Sequence, residues 1–288
     1  MISKYIKPQL VGISRRWKEG LTRAASALGV LWLLAEITTR PFPQFNTWLS
    51  SNTNSYYGVA ITFSIAWFLY YTYERRHIRF QIPTIDSYIS VVFGDIFDEK
   101  SDWIIGVNEF FDSEIGQRVA ANSLHGQVIT KIFNGDARAF RSAVDTSLQG
   151  RDFTPTTRST PPDRQYSIGT TAVVRNSNFC IYLVAMARTD LETAKATSSV
   201  PMLWDALSGA LDTANAHGNG RPLSLPLLGN GRSNVNVEPQ HLLRLIVLAL
   251  VDFGRKKGLP KDIRIVLPNA CFDALDIREI RRDWRRAP

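Results

Sequence analysis

The chain has 288 residues, 44% of them hydrophobic, and a formal net charge of +8, so it can bury a substantial core in one domain or two. Its two cysteines, Cys180 and Cys271, exclude a disulfide framework and show no metal-site spacing. The positive charge favours a polyanionic partner, whether nucleic acid, an anionic membrane surface or a phosphate-bearing small molecule.

The first 23 residues are strongly basic and contain Glu19 as their one acidic residue. Leu10, Ile13, Trp17 and Leu21 recur at helical spacing. This pattern predicts a basic amphipathic helix at a membrane surface. A poorly ordered basic tail is the alternative.

Two apolar segments follow, and each is long enough to cross a membrane. They cover residues 21–39 and 56–73, and the second is free of charge and carries tyrosines at both ends. The connecting residues 41–55 are predicted to form a short polar loop. We interpret residues 1–76 as a basic N-terminus with a transmembrane hairpin rather than as a signal peptide or as core helices. Lys and Arg concentrate before the first span and after the second, which predicts a multi-pass protein with both termini in the cytoplasm.

Residues 77–288 are predicted to form one α/β domain, because short apolar runs alternate with helical patterns. Such alternation favours a mixed, mostly parallel sheet covered by helices. The predicted strands are 89–93, 103–107, 170–174, 179–187, 223–228 and 263–267, and the clearest predicted helices are 133–148, 201–217 and 239–253.

Three polar pieces end or follow the first strands: Gly94-Asp-Ile-Phe97, Val107-Asn-Glu-Phe-Phe-Asp112 and Ser123-Leu-His-Gly-Gln127. The stretch resembles the opening of a macro domain, the α/β module that binds ADP-ribose. With the preceding helix pair, it is similar to the transmembrane-macro effectors (ThsA type) of bacterial Thoeris antiphage defence. The resemblance implies a three-layer α/β/α sandwich after the hairpin and a bacterial inner-membrane location.

The resemblance also implies roles for residues at the strand ends. Asp95 would accept a hydrogen bond from the adenine amino group, Ile96 would offer backbone contacts, and Phe97 would belong to the same ligand-binding site. Asn108 would lie near the distal ribose. A simple strand-end turn is the alternative for Gly94 and Asp95.

Glu109, Phe110 and Asp112 depart from the residues that usually follow this asparagine in macro domains. The departure argues against ordinary ADP-ribosyl hydrolysis. An amine or imidazole attached to the distal ribose would instead suit the carboxylates of Glu109 and Asp112.

Two loops correspond to the phosphate loops of the family, where glycines allow close backbone approach and exposed N–H groups bind anions. Arg232 would add a charge-assisted bond to the diphosphate. The first loop contains Ser123, Leu124, His125, Gly126 and Gln127, and the second contains Leu228, Gly229, Asn230, Gly231, Arg232 and Ser233.

Two functions compete. The first, which the resemblance implies, is a membrane-anchored effector that senses an ADP-ribose-derived signal made by a TIR-domain partner, with histidine-linked ADP-ribose as one candidate. Its helices would then disrupt the membrane as a homo-oligomer. The second is a membrane-tethered ADP-ribosyl hydrolase. We favour the first, with no catalytic residue, metal or cofactor other than the ligand. A nucleic-acid binder ranks last, because the basic residues concentrate at the membrane ends.

Overall fold

The computed structural model describes residues 3–82, 85–116, 118–158, 162–218, 220–231 and 235–285. The chain divides into two compact units, Met1–Arg76 and His77–Pro288.

The first unit contains three helices: α1 (Ser3–Thr39), α2 (Pro43–Ser51) and α3 (Thr53–Thr72). α1 and α3 pack as an antiparallel pair. The Tyr56 hydroxyl donates to the Leu31 carbonyl at 2.6 Å, and the Tyr71 hydroxyl donates to Glu19 Oε2 at 2.7 Å. The first contact joins the start of α3 to the second half of α1, and the second joins the end of α3 to the middle of α1, as an antiparallel pair requires.

One sequence prediction for this unit is confirmed in part and another is wrong. The basic segment is helical, as predicted, and α1 has a kink at Arg16 that separates this segment from the first apolar segment. The location of the basic helix at a membrane surface stays a prediction. The Arg16 guanidinium pairs with the buried Glu74 carboxylate. The predicted loop 41–55 is mostly helical, since Pro43 at the first turn starts α2 and leaves only a short break before α3.

Among the described helices, Ile6–Thr39 is the one long and apolar enough to cross a membrane. The second predicted span lies in α3, whose Thr, Asn, Ser and Tyr residues lower its hydropathy. The multi-pass arrangement and the orientation of the termini therefore stay predictions.

The strands of the second unit are β1 (His77–Gln81), β2 (Tyr88–Phe93), β3 (Asp102–Asn108), β4 (Thr154–Pro155), β5 (Arg164–Gln165), β6 (Thr171–Arg175), β7 (Cys180–Thr189), β8 (Ala196–Thr197), β9 (Leu223–Pro226) and β10 (Asp262–Leu267). The main sheet is mixed and has the order β1-β2-β10-β9-β3-β7-β6. The five central strands of this order run parallel to one another, and β1 and β6 are antiparallel strands at its two ends. The helices are α4 (Leu124–Ile132), α5 (Ala137–Ser147), α6 (Val200–His217), α7 (Pro239–Lys257) and α8 (Ile277–Arg285).

Helices cover the sheet because its central strands are apolar on both faces. In β3, Trp103, Ile105 and Val107 join a buried cluster with Val128 of α4 and Phe140 of α5. Successive side chains of a strand alternate between faces, so Ile104 points to the opposite layer, where α6 packs on β7 and α7 packs on α6. The predicted α/β class and mostly parallel sheet are confirmed.

The structure adds elements that the sequence pattern did not predict. β1 pairs with β2 before the first predicted strand, and β4 and β5 form a small ribbon inside residues 150–165. β8 pairs with the end of β7 and makes a short hairpin.

Candidate ligand-binding site

A cleft of about 520 Å³ opens at the carboxyl ends of β3, β9 and β10. Ligands bind at this edge in open α/β sheets, because loops and helix N-termini converge there. Eight of the predicted site residues line it: Asn108, Ser123, Leu124, His125, Leu228, Gly229, Asn230 and Gly231.

The N-terminus of α4 forms one wall of the cleft. Ser123 caps the helix, since its Oγ accepts from the Gly126 N–H at 3.0 Å and donates to the Ala120 carbonyl at 2.7 Å. The backbone N–H groups of Leu124 and His125 have no hydrogen-bond acceptor among the described residues. Free N–H groups at the positive end of a helix are suited to an anion.

Gly126 allows this wall to form. A Cβ at this position would lie 2.2 Å from the Ala120 carbonyl oxygen, so only glycine lets α4 approach the preceding turn. Gln127 does not line the cleft, and its side chain donates to the carbonyl of Asn122, which does, at 3.2 Å.

The loop after β9 forms a second wall. Gly229 has a φ of +84°, and a Cβ there would lie 2.5 Å from Val235 Cγ2. The Val235 N–H donates to the Gly229 carbonyl at 3.0 Å and closes the loop. Arg232 and Ser233, which were predicted to extend this loop, lie outside the described residues.

Asp95 lies beside the cleft rather than in its lining. The Gly94 N–H donates to the Leu267 carbonyl at 3.0 Å, which places Asp95 next to the end of β10, where Pro268 lines the cleft. The Asp95 side chain is 47% exposed; it accepts from the Phe97 N–H and lies 3.5 Å from Lys131 Nζ. Ile96 is buried in the core, and the Phe97 ring packs against Trp103.

Asn108 ends β3 and is held by a buried ion pair. Its Nδ2 donates to Asp112 Oδ2 at 2.6 Å, and its Oδ1 accepts from the Asp112 N–H at 3.1 Å. Arg158 Nη2 donates to both oxygens of Asp112 at 2.6 and 2.9 Å. The Arg158 guanidinium also lies over the buried Phe110 ring at 4.3 Å. The Asp112 carboxylate therefore faces inward and positions Asn108.

Glu109 is also turned inward. Its carboxylate accepts from the Thr189 N–H at 2.8 Å and the Thr189 hydroxyl at 3.2 Å, and Gln165 Nε2 lies 3.4 Å away. The side chain is fully buried, and burial raises the pKa of its carboxyl group. Glu109 and Asp112 were expected to face an amine or imidazole of the ligand. The structure gives both carboxylates internal partners instead.

His125 lines the cleft but is nearly buried, and its Nε2 has no hydrogen-bond partner among the described residues. Burial lowers its pKa to about 4, partly offset by the charge of Asp112 and a hydrogen bond with the Asp112 backbone. The imidazole is uncharged at neutral pH, so it offers a ligand hydrogen bonds but no positive charge.

Sequence reasoning missed one wall of the cleft. The tip of the hairpin between β7 and β8 contributes Thr193, Ala194, Lys195 and Ala196 to the lining. The turn-forming Asp190 between two short β-type stretches indicates this hairpin in the sequence. The segment is brief, however, and it matches none of the macro-domain motifs.

The charged side chains in the described lining of the cleft are all of one sign. Its described lining contains Arg118 and Lys195 and no Asp or Glu. Among the described residues, no group of three or more His, Cys, Asp or Glu side chains is placed to hold a metal ion.

Comparisons with known proteins agree with this architecture. The family model "Thoeris protein ThsA, Macro domain" matches residues 89–268. Among solved structures, the chain is similar to the Oceanobacillus iheyensis macrodomain with ADP, with a TM-score of 0.51 and 12% identity over 73% of this chain and 98% of that chain. A mutant of the same macrodomain with ADPR gives a TM-score of 0.51 and 12% identity over 73% of this chain and all of that chain (100%). No curated protein matches the chain.

At this identity the solved structures establish the fold. The match to the family model spans more than half of the chain and confirms the resemblance that the motifs predicted. The chain belongs to the family of the Thoeris protein ThsA, Macro domain.

Proposed function

We propose that this protein is a membrane-anchored antiphage-defence effector whose macro domain senses an ADP-ribose-derived nucleotide. The observation that carries the proposal is the cleft itself, which combines free N–H groups at the α4 N-terminus with two cations and no carboxylate in its described lining. A diphosphate fits this environment, because anions are stabilised by helix N-termini and by nearby Lys and Arg. Two similar macrodomains were solved with ADP and with ADPR, which supports the same class of ligand.

In this proposal the diphosphate lies between the α4 N-terminus and the loop Leu228–Gly231. The adenine extends towards Asp95 beside Pro268, and the distal ribose lies near Asn108. The family resemblance supports a histidine linked to the distal ribose. It would lie near Asn108 without contacting Glu109 or Asp112, since both carboxylates have internal partners.

We favour binding over ADP-ribosyl hydrolysis. A hydrolase needs a group that activates water, and carboxylates are common choices. The described lining of this cleft has none. No cofactor or metal enters the proposal.

For the membrane role, we propose that both long helices of the first unit enter the bilayer. The apolar side chains of α3 are exposed on several faces, including Val59 at 70%, Ile65 at 56% and Trp67 at 41%. α1 exposes Trp32, Leu33 and Leu34 at comparable levels. Exposed apolar surface of this extent suits lipid or a second copy of the chain. A TIR-domain partner would supply the signal, and a homo-oligomer would act on the inner membrane.

We expect Asp95→Ala to weaken ADP-ribose binding by about 1.5–3 kcal/mol, the contribution of a hydrogen bond to a charged group. Isothermal titration of the full-length protein in detergent measures the loss. Asp98→Ala is the matched control, because Asp98 is an exposed carboxylate on the same turn. Equal affinities for the Asp95 and Asp98 variants would reject the adenine contact.

We expect a chain that begins at residue 77 to lose growth arrest when the signal is made in the cell, because the membrane-active helices are gone. Growth curves after infection or after induction of the signal-producing partner measure the effect, and ADP-ribose affinity of the shortened protein shows whether its macro domain still binds. Growth arrest by the shortened chain would mean that the membrane is not the target.

A further inference from the structure

The hairpin between β7 and β8 is built as a fixed wall of the cleft. Its turn is closed by Asp190, whose Oδ1 accepts from the Glu192 N–H at 3.0 Å, the Thr193 N–H at 2.7 Å and the Thr193 hydroxyl at 2.8 Å. Ala194 adopts a φ of +55°, a left-handed conformation that costs about 1–2 kcal/mol for a residue other than glycine. Strained backbone of this kind persists where the surrounding structure holds it, and it concentrates at functional sites.

The base of the hairpin is anchored next to Asn108, a residue of the cleft lining. Thr189, the last residue of β7, donates through its N–H and its hydroxyl to the buried carboxylate of Glu109, which directly follows Asn108. Ser198, just after β8, donates to the Met186 carbonyl at 2.7 Å. The tip therefore has a defined position relative to the end of β3.

Lys195 is the charged residue that this hairpin presents to the cleft. It lines the cleft and is exposed, and the described residues give its ammonium group no carboxylate partner. The turn contains two acids, Asp190 and Glu192, and neither lines the cleft. Asp190 uses Oδ1 to hold backbone and hydroxyl donors of the turn itself. A cation and free helix N–H groups in the same cleft lining favour an anionic ligand.

We propose that Lys195 binds a phosphate group of the ligand and that the β7–β8 hairpin thereby makes the cleft selective for phosphorylated nucleotides. The inference rests on the proposed function, because it assigns a new contact in the same site. Lysine is suited to this role as a compact point charge on a flexible stem, which reaches a phosphate without a fixed bidentate geometry.

The test is isothermal titration of full-length protein in detergent with ADP-ribose over a series of salt concentrations. We expect Lys195→Gln to weaken binding about tenfold at low salt, the effect of losing roughly one charge-assisted contact. The loss should shrink as salt rises, because ions screen the attraction. Lys195→Arg should keep most of the affinity. Lys256→Gln is the control, since Lys256 pairs with Asp252 on α7 and does not line the cleft.

The possible results distinguish a failure of the proposed function from a failure of the role of Lys195. If the unmodified protein does not bind ADP-ribose, the proposed function fails. If it binds and Lys195→Gln matches Lys256→Gln, the proposed function stands and the role of Lys195 is overturned. If Lys195→Gln and Lys195→Arg lose affinity equally at every salt concentration, the side chain acts through packing, which also overturns the phosphate contact.

Discussion

Arg158→Ala should lower the free energy of unfolding of the macro domain by about 3–5 kcal/mol, the usual result of removing one partner of a buried ion pair. The Arg158 side chain is 2% exposed and that of Asp112 is 6% exposed. Without the guanidinium, the Asp112 carboxylate stays buried, and Asn108 is its one remaining side-chain donor among the described residues. Asn108 ends β3 at the cleft, so the substitution should weaken ADP-ribose binding as well.

Hydrogen exchange of the amides in β3 and β7 of the full-length protein measures this loss within the macro domain and does not require unfolding of the helices of the first unit. Arg164→Ala is a suitable control, because Arg164 belongs to the same loop region but lies exposed over the Phe153 ring. Combining Arg158→Ala with Asp112→Asn should restore part of the stability, since the unpaired charge is removed. Unchanged exchange rates in Arg158→Ala would show that the pair does not hold this region.

Gly126→Ala should abolish most ADP-ribose binding and destabilise the domain by about 1–3 kcal/mol, the usual cost of overpacking. The new Cβ would lie 2.2 Å from the Ala120 carbonyl oxygen and 3.1 Å from Ala121 Cα. These are backbone atoms, so the clash cannot be relieved by turning a side chain. The N-terminus of α4 must shift, and the Leu124 and His125 N–H groups shift with it.

Titration with ADP-ribose and thermal denaturation of the full-length protein measure both effects. Gly116→Ala is the matched control, because a Cβ at Gly116 meets nothing within 4 Å. Wild-type affinity in Gly126→Ala would show that the helix N-terminus does not contact the ligand.

The elements that the sequence predicted well are those with strong local signals. The apolar runs of β2, β3 and β10 and the helix that starts at Pro239 and is followed by Gly258 agree closely with the structure. β1 was missed because its alternation is short, and α2 was missed because prolines and polar residues indicated a loop.

The direction of the acidic side chains after β3 was not predictable from spacing. A register shift between Val107 and Asn108 breaks the alternation of β3, and Phe111 adopts a φ of +53°. The partners that turn the carboxylates inward are Arg158 and Thr189, which lie 46 and 80 residues away in the chain. Sequence motifs located the strand ends correctly. The direction in which each carboxylate points depends on its partners, which are distant in the sequence.

The outer strand β1 affects how readily copies of the chain pair through the edges of their sheets. An edge strand offers unpaired backbone groups to any neighbouring chain, and proteins guard against such pairing with charged side chains. β1 alternates between exposed and buried residues, and its exposed residues are His77, Arg79 and Gln81. Arg79 is further held by Asp262 at 2.6 Å and by the Tyr88 ring at 4.2 Å. In the proposed membrane-anchored form, copies of the chain would meet at high local concentration, and this polar border disfavours their pairing into a continuous, irreversible β-aggregate.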